Sequence, residues 1–309
     1  MSENLASILT DTAKRHGDKT AFKLDDMELS YSLLDEGSAR IAGVLKSKGL
    51  DEGDRVGLMM PNVPYFPVIY YGILRAGGVV VPMNVLLKKR EVAFYLEDPE
   101  AKFLFAWADF AEAAETGAEE AGSEVILVKP GEFEKQLADQ EPDSDMADRS
   151  AEDTAVILYT SGTTGKPKGA ELTHANLSKN SKGVSEKLGE MTEDDVLLGA
   201  LPLFHSFGQT CTMNSAVSVG STVTMLPRFD PDKALEIIER DRVTLFQGVP
   251  TMYNAMLHSE SCESADCSSL RICMSGGAAM PAELMRAFEE KFGCAPTGDR
   301  CPDMSIVNR

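Results

Sequence analysis

Eight short apolar runs recur along the chain, and they limit its fold more than any other feature. They occupy residues 55–59, 78–81, 102–106, 124–128, 154–159, 221–225, 243–246 and 270–275. None alternates strictly between apolar and polar residues. Strict alternation marks a strand wet on one face, whereas such runs mark strands covered on both. Helical spacing fills the gaps. Residues 31–48 place Leu33, Leu34, Ile41, Val44 and Leu45 near a 3.6 period, and Gly49 fits a C-terminal stop. Asp230 before Pro231 suits an N-cap with proline in the first turn, followed by a stripe of Ala234, Leu235, Ile237 and Ile238. Pro281 is expected to open another helix, with Leu284, Phe288 and Phe292 four apart and Gly293 closing it. Strands alternating with helices predict an α/β protein with mainly parallel sheets. At roughly 150 residues per domain, 309 residues suggest two domains or two packed subdomains.

Composition excludes several functions. Thirty basic against 49 acidic residues give a net charge of −19, which argues against a nucleic-acid partner. The six cysteines, Cys211, Cys262, Cys267, Cys273, Cys294 and Cys301, include no Cys-x-x-Cys pair, and there are four histidines. No metal site is expected, and the thiols are expected to be reduced and mostly buried. The N-terminal residues lack an apolar run fit for a signal peptide, and no apolar stretch is long enough for a bilayer. A soluble, cytoplasmic protein without a membrane span is the expectation. Residues 108–153 are Ala-rich and acidic around one apolar strand, and their last third is expected to be a solvated surface connection.

The chemistry gathers after the apolar run 155–159. A polar loop follows at once: Tyr159, Thr160, Ser161, Gly162, Thr163, Thr164, Gly165, Lys166, Pro167, Lys168 and Gly169. Gly162, Gly165 and Gly169 let backbone approach an anion closely. Successive amides can form an anion-binding nest. Ser161, Thr163 and Thr164 add hydroxyl donors, and Lys166 and Lys168 add positive charge. Residues 170–174 suggest a second short strand, after which Thr173 can cap a helix. The spacing is not that of a Walker loop, because Pro167 follows Gly165-Lys166. From composition alone, a ligand-free hairpin turn remains the alternative.

The eleven-residue string YTSGTTGKPKG resembles the phosphate-binding signature of adenylate-forming (AMP-binding) enzymes. These include acyl-CoA synthetases, peptide-synthetase adenylation domains and beetle luciferase. The resemblance implies that the loop from Thr160 to Gly169 holds the β- and γ-phosphates of ATP, with Lys168 at the position of the family's loop lysine. Leu201-Pro202-Leu203-Phe204-His205-Ser206-Phe207-Gly208 is similar to the family's proline-aromatic-His element, which implies that His205 lies beside the acyl substrate and the α-phosphate. Gln247-Gly248-Val249-Pro250-Thr251 resembles the strand and turn lining the acyl pocket, implying substrate contacts at Gly248 and Thr251. Ser275-Gly276-Gly277-Ala278 resembles the turn on which adenine and the acyl group pack, implying contacts at Gly276, Gly277 and Ala278. Taken alone, each of these three segments is also satisfied by a structural histidine or a plain turn. Residues 55–96 are similar to bacterial long-chain fatty acyl-CoA ligases.

The fold so implied is the large N-terminal domain of that superfamily. Two layered αβ subdomains are expected over 1–295, one near 1–45 with 195–295 and the other near 46–194. Residues 296–309 are expected to be an atypical tail, with no counterpart expected for the small mobile C-terminal domain. The family's aromatic-Gly-x-Thr-Glu element, which engages ATP and Mg²⁺, does not follow Gly293. Thr297-Gly298-Asp299 spells the family's ribose-binding triplet but lacks its apolar lead-in, and is taken as a coincidence. The implied activity is ligation of a long-chain fatty acid to coenzyme A through an acyl-adenylate, with ATP, Mg²⁺ and CoA as co-reactants. Little or no turnover is expected from this chain alone. An aryl-CoA ligase, an amino-acid adenylating enzyme and a non-catalytic nucleotide-binding remnant stay open, and the resemblance admits a homodimer.

Overall fold

The computed structural model describes residues 3–160 and 166–297. The chain divides into two compact units, Met1–Asp18 with Ser30–Lys179, and Lys19–Leu29 with Asn180–Arg309. Strands and helices are numbered in chain order.

The first unit is built on a six-stranded sheet. Its strands are β3 (Arg55–Met59), β4 (Val79–Met83), β5 (Ala101–Trp107), β6 (Glu124–Val128), β7 (Thr154–Thr160) and β8 (Lys168–Thr173), in the order β6-β5-β3-β4-β7-β8. Pairing is parallel except between β7 and β8. The continuous apolar runs are explained by cover on both faces: every residue of β4 is buried. The covering helices include α1 (Ser7–His16), α2 (Tyr31–Ser47), α3 (Tyr65–Arg75), α4 (Lys89–Glu97) and α5 (Ala111–Ala121). Ser30 caps α2 by accepting from the Leu33 amide, and Gly49, at φ +84°, ends it as its sequence position suggests. Helix α2 lies against α3 at Gly72, where an added Cβ would come within 2.4 Å of Ile41. This places α2 in the first unit, whereas the sequence grouping put residues 31–45 with 195–295.

Residues 141–150 form the expected surface connection, irregular and mostly exposed, but it is anchored at a few points. After the short α6 (Phe133–Ala138), the Asp143 amide donates to the Ala39 carbonyl and the Ala147 amide to the Arg75 carbonyl. Buried Arg75 donates to the Ser144 carbonyl and to Asp35. The Asp143 carboxylate adds an ion pair with Lys46 at 2.7 Å, so both backbone and side chains anchor the connection.

The second unit holds β1 (Thr20–Leu24), β2 (Met27–Ser30), β9 (Val196–Gly199), β10 (Thr222–Met225), β11 (Leu245–Gly248), β12 (Ile272–Ser275) and β13 (Pro296–Thr297), in the order β13-β12-β11-β9-β10-β1-β2. From β13 to β1 the pairing is parallel. Helices α8 (Ser215–Val219), α9 (Pro231–Asp241), α10 (Pro250–Leu257) and α11 (Ala282–Phe292) connect the strands, following α7 (His174–Gly183). Asp230 caps α9 by accepting from the Lys233 amide at 2.9 Å, with Pro231 in the first turn. Its Ala234, Leu235, Ile237 and Ile238 join Phe246, Tyr253, Phe288 and Phe292 in one core. Pro281 is the extended N-cap of α11 rather than its first helical residue, and Gly293, at φ +71°, closes it. The sequence reading did not include β1, β2, β9 or β13. At the base of the sheet, buried Asp195 accepts from Arg271 at 2.8 and 2.6 Å and from Thr244 at 2.7 Å. Burial alone would raise its pKa, but those hydrogen bonds bring it below the usual carboxylate value.

Cys211, Cys262, Cys267, Cys273 and Cys294 are buried, and Cys301 lies outside the described residues. Among the described residues no helix is long and apolar enough to cross a membrane.

Candidate active site

In an open parallel sheet, ligands gather outside the carboxyl ends of the strands, because the connecting loops and helix N-termini converge there. Most of the sequence-indicated residues follow such strand ends. In the first unit they lie where β7 leaves the sheet and returns as β8. Tyr159 is paired with Gly169, and Thr160 with Lys168, at the end of the antiparallel ladder. Ser161, Gly162, Thr163, Thr164 and Gly165 lie outside the described residues. Lys166 and Lys168 are both exposed, and among the described residues neither is paired with a carboxylate. Gly169 fits its place for lack of space: a Cβ would come within 2.9 Å of Ile157 and 3.3 Å of the Tyr159 ring. At the other end of β8, Thr173 caps α7 by accepting from the Asn176 amide at 3.1 Å.

Tyr159 is tied down from below. Its hydroxyl donates to Asp98 Oδ2 at 2.6 Å, and its ring centroid lies 4.3 Å from that of Tyr95 and 5.9 Å from that of Phe94. Burial first, then the hydrogen bond to Asp98 and its charge, push the Tyr159 phenol well above its ordinary value. The sequence reading missed this partnership, since nothing in the signature points sixty residues upstream.

In the second unit, neighbouring strands β9, β11 and β12 supply the remaining residues. Beyond β9 the chain runs through Pro202 and Phe204 to His205, whose ring is exposed and 4.6 Å from that of Phe204. Partial desolvation lowers its pKa, so the imidazole is neutral at pH 7. A π-helical stretch then covers Phe207–Asn214. Such widened turns occur frequently at functional sites. Gly208 is needed at its start, because a Cβ would come within 2.4 Å of the Pro202 carbonyl oxygen.

Gln247, buried at the end of β11, holds this stretch in place. It donates to the Cys211 carbonyl at 2.9 Å and accepts from the Thr212 hydroxyl at 2.6 Å. Sequence reading placed Gln247 in the motif without giving it a partner. One residue on, Gly248 is buried, and its carbonyl accepts from the Gly276 amide at 3.1 Å. The segments after β11 and β12 are thereby brought together. Gly277 has φ +76°, a backbone geometry that favours glycine, and is exposed together with Ala278. Thr251, in the first turn of α10, is exposed. The Ser275 hydroxyl is buried with no partner among the described residues. Gly298 and Asp299 of the atypical triplet fall outside the described residues, while Thr297 is in β13.

A sequence model of the AMP-binding enzyme family matches residues 9–299. The chain belongs to this family. It is 32% identical over 326 residues to a long-chain-fatty-acid–CoA ligase of Bacillus subtilis, covering 94% of this chain and 58% of that protein. It is 36% identical over 290 residues to a feruloyl-CoA synthase of an Amycolatopsis species, covering 94% and 57%. Among solved structures it is similar to ATP-bound MatB from Rhodopseudomonas palustris, with a TM-score of 0.88 and 33% identity over 96% of this chain and 59% of that one. The AMP-binding fold is therefore present, and the chain spans under three fifths of the length of these relatives.

Proposed function

We propose that this chain binds ATP and a carboxylic acid for adenylation, the first half of an acid–CoA ligase reaction. The β7–β8 hairpin end supports this most directly. It presents Lys166 and Lys168 to solvent, without carboxylate partners among the described residues, in a chain of net charge −19. Two exposed cations on the C-terminal side of a glycine-rich segment suit a polyphosphate. Thr160, Lys166, Lys168 and Gly169, with Ser161, Gly162, Thr163, Thr164 and Gly165 of the same signature, are proposed to hold the phosphates. Gly276, Gly277 and Ala278 suit adenine, since a planar base can lie on backbone that carries no bulky side chain.

In the reaction so proposed, a carboxylate oxygen bonds to the α-phosphorus, the bond to the bridging oxygen breaks, and pyrophosphate leaves with the electron pair. The acyl group then passes to the CoA thiol with release of AMP. Lys168 would offset charge on the transferring phosphates. His205, neutral at pH 7, would donate an N–H to an α-phosphate or acyl oxygen without adding a charge. Gly248 and Thr251 are proposed to border the acyl group. Among the described residues no group of three His, Cys, Asp or Glu is placed to hold a metal ion.

A long-chain fatty acid is the first substrate proposed, supported by the Bacillus relative. An aryl acid is the second, supported by the higher identity to a feruloyl-CoA synthase. Calorimetric titration of the chain with MgATP tests the core of the proposal. Binding is expected, and Lys168→Ala is expected to weaken it about tenfold, the value of one charge-assisted hydrogen bond. Absence of heat at millimolar MgATP would reject the proposal. A panel of palmitate and ferulate, each added to the ATP-loaded chain and read by thermal shift, separates the two acids.

A further inference from the structure

The β7–β8 hairpin end has a weak point and a compensating tie. Strand β8 is the outermost strand of its sheet, and its first four residues, Lys168 to Glu171, are exposed. Only β7 holds it, so the terminal pair Thr160–Lys168 is where the ladder should fray. That pair also flanks the segment proposed to hold phosphate. One step in from it, Tyr159 lays its ring on Tyr95 and donates its hydroxyl to Asp98. Gly169 opposite leaves room for the ring, since a Cβ there would come within 3.3 Å of it.

Asp98 is itself unexpected. It is the C-cap of α4, where the helix dipole disfavours a carboxylate, and the last turn of α4 carries no basic residue. No cation is paired with it among the described residues. A residue that breaks a local rule at some cost is a candidate for a task elsewhere. The task visible here is to accept the hydrogen bond that the Tyr159 hydroxyl donates. A carboxylate acceptor makes a stronger hydrogen bond than a neutral one.

We infer that Tyr159 and Asp98 act as a positioning pair, fixing the hairpin end so that Thr160 and Lys168 are pre-oriented for the polyphosphate of ATP. Neither side chain touches the nucleotide. The inference rests on the proposed ATP site, and it deepens that proposal by separating the groups that bind from the groups that hold them still. Rigid presentation raises affinity by lowering the ordering cost of binding. Its effect should therefore fall on ligands that carry the β- and γ-phosphates.

Two measurements on the whole chain test this separately. In the first, amide hydrogen exchange is compared between the native chain and Tyr159→Phe, which keeps the ring and removes only the hydroxyl. The amides of Thr160, Lys168 and Gly169 should exchange about tenfold faster, while those of β3 and β5 stay unchanged. Unchanged exchange at the hairpin end would overturn the inference, whether or not ATP binds. In the second, calorimetry compares MgATP, pyrophosphate and AMP. Tyr159→Phe should weaken MgATP and pyrophosphate about five- to tenfold and leave AMP within twofold. Asp98→Asn, which keeps an acceptor oxygen, should lie between the native chain and Asp98→Ala. An equal loss for AMP and ATP would mean general damage and overturn the inference. Absence of ATP binding by the native chain would instead reject the ATP site, with the exchange result still deciding the tie.

Discussion

At the scale of single residues, the most legible positions were those whose chemistry is local. Lys166, Lys168 and the glycines around them suggest an anion site by type and by their resemblance to the family signature, and Lys168 and Gly169 lie in the terminal pairs of the β7–β8 ladder. The less legible ones act through partners distant in sequence. Nothing around Gln247 predicts that it grips Cys211 and Thr212, and nothing around Tyr159 predicts Asp98. Gly208 is intermediate. Its motif was visible, but its reason is space: Cβ would meet the Pro202 and Leu201 carbonyl oxygens at 2.4 and 2.8 Å. Both obstacles are backbone and cannot swing aside. Gly208→Ala should therefore cost about 2–3 kcal/mol in urea denaturation, the upper range for overpacking. A cost below about 0.5 kcal/mol would show that the segment from Leu201 to Gly208 is not held as described.

At the scale of elements, apolar runs and caps were readable because they follow from burial and from backbone hydrogen bonding within a few residues. The run over β6 coincides with the strand, and the Asp230–Pro231 start of α9 is as its residue types suggest. Strands β1 and β9 escaped because each is short and flanked by charge, as in the acidic residues 193–195 before β9. The π-helical stretch over Phe207–Asn214 escaped because hydrophobic periodicity carries no signal for a widened turn. Helix packing gives a paired prediction. Glycine in a helix usually costs up to about 1 kcal/mol relative to alanine. At Gly183, whose backbone is helical and where a Cβ meets nothing within 4 Å, alanine should stabilise by about 0.5–1 kcal/mol. At Gly72 the same change drives Cβ to 2.4 Å from Ile41 and 2.9 Å from the Ser38 carbonyl, so it should destabilise by about 1–3 kcal/mol. If both substitutions stabilise, the close α2–α3 contact is wrong.

At the scale of the whole molecule, two opposed effects govern the response to acid. The chain carries −19 at pH 7 and has an isoelectric point near 4.6, so acidification relieves self-repulsion and favours the compact state. His174 works in the other direction. It is buried, its Nδ1 accepts from the Leu5 amide at 3.0 Å, and its Nε2 has no partner among the described residues. Protonating Nδ1 would break the bond to Leu5 and place a charge in the interior beside Arg149, with Asp153 only partly compensating. Burial first, then Arg149, depress its pKa to about 4 from 6.5. With the folded value below the unfolded one, the unfolded chain takes up the proton first as pH falls. This contribution to stability is complete above pH 6.5, is lost as pH falls from 6.5 towards 4, and changes no further below that. Its full extent is about 3 kcal/mol. The native chain should thus lose stability between pH 6.5 and 4.5 despite its falling net charge. His174→Gln keeps an acceptor for the Leu5 amide but cannot titrate, so it should be less stable at pH 7.5 and flatter with acid. Urea midpoints across that range decide the matter. A native chain that gains stability steadily down to pH 4.5 would show that charge repulsion outweighs the buried imidazole.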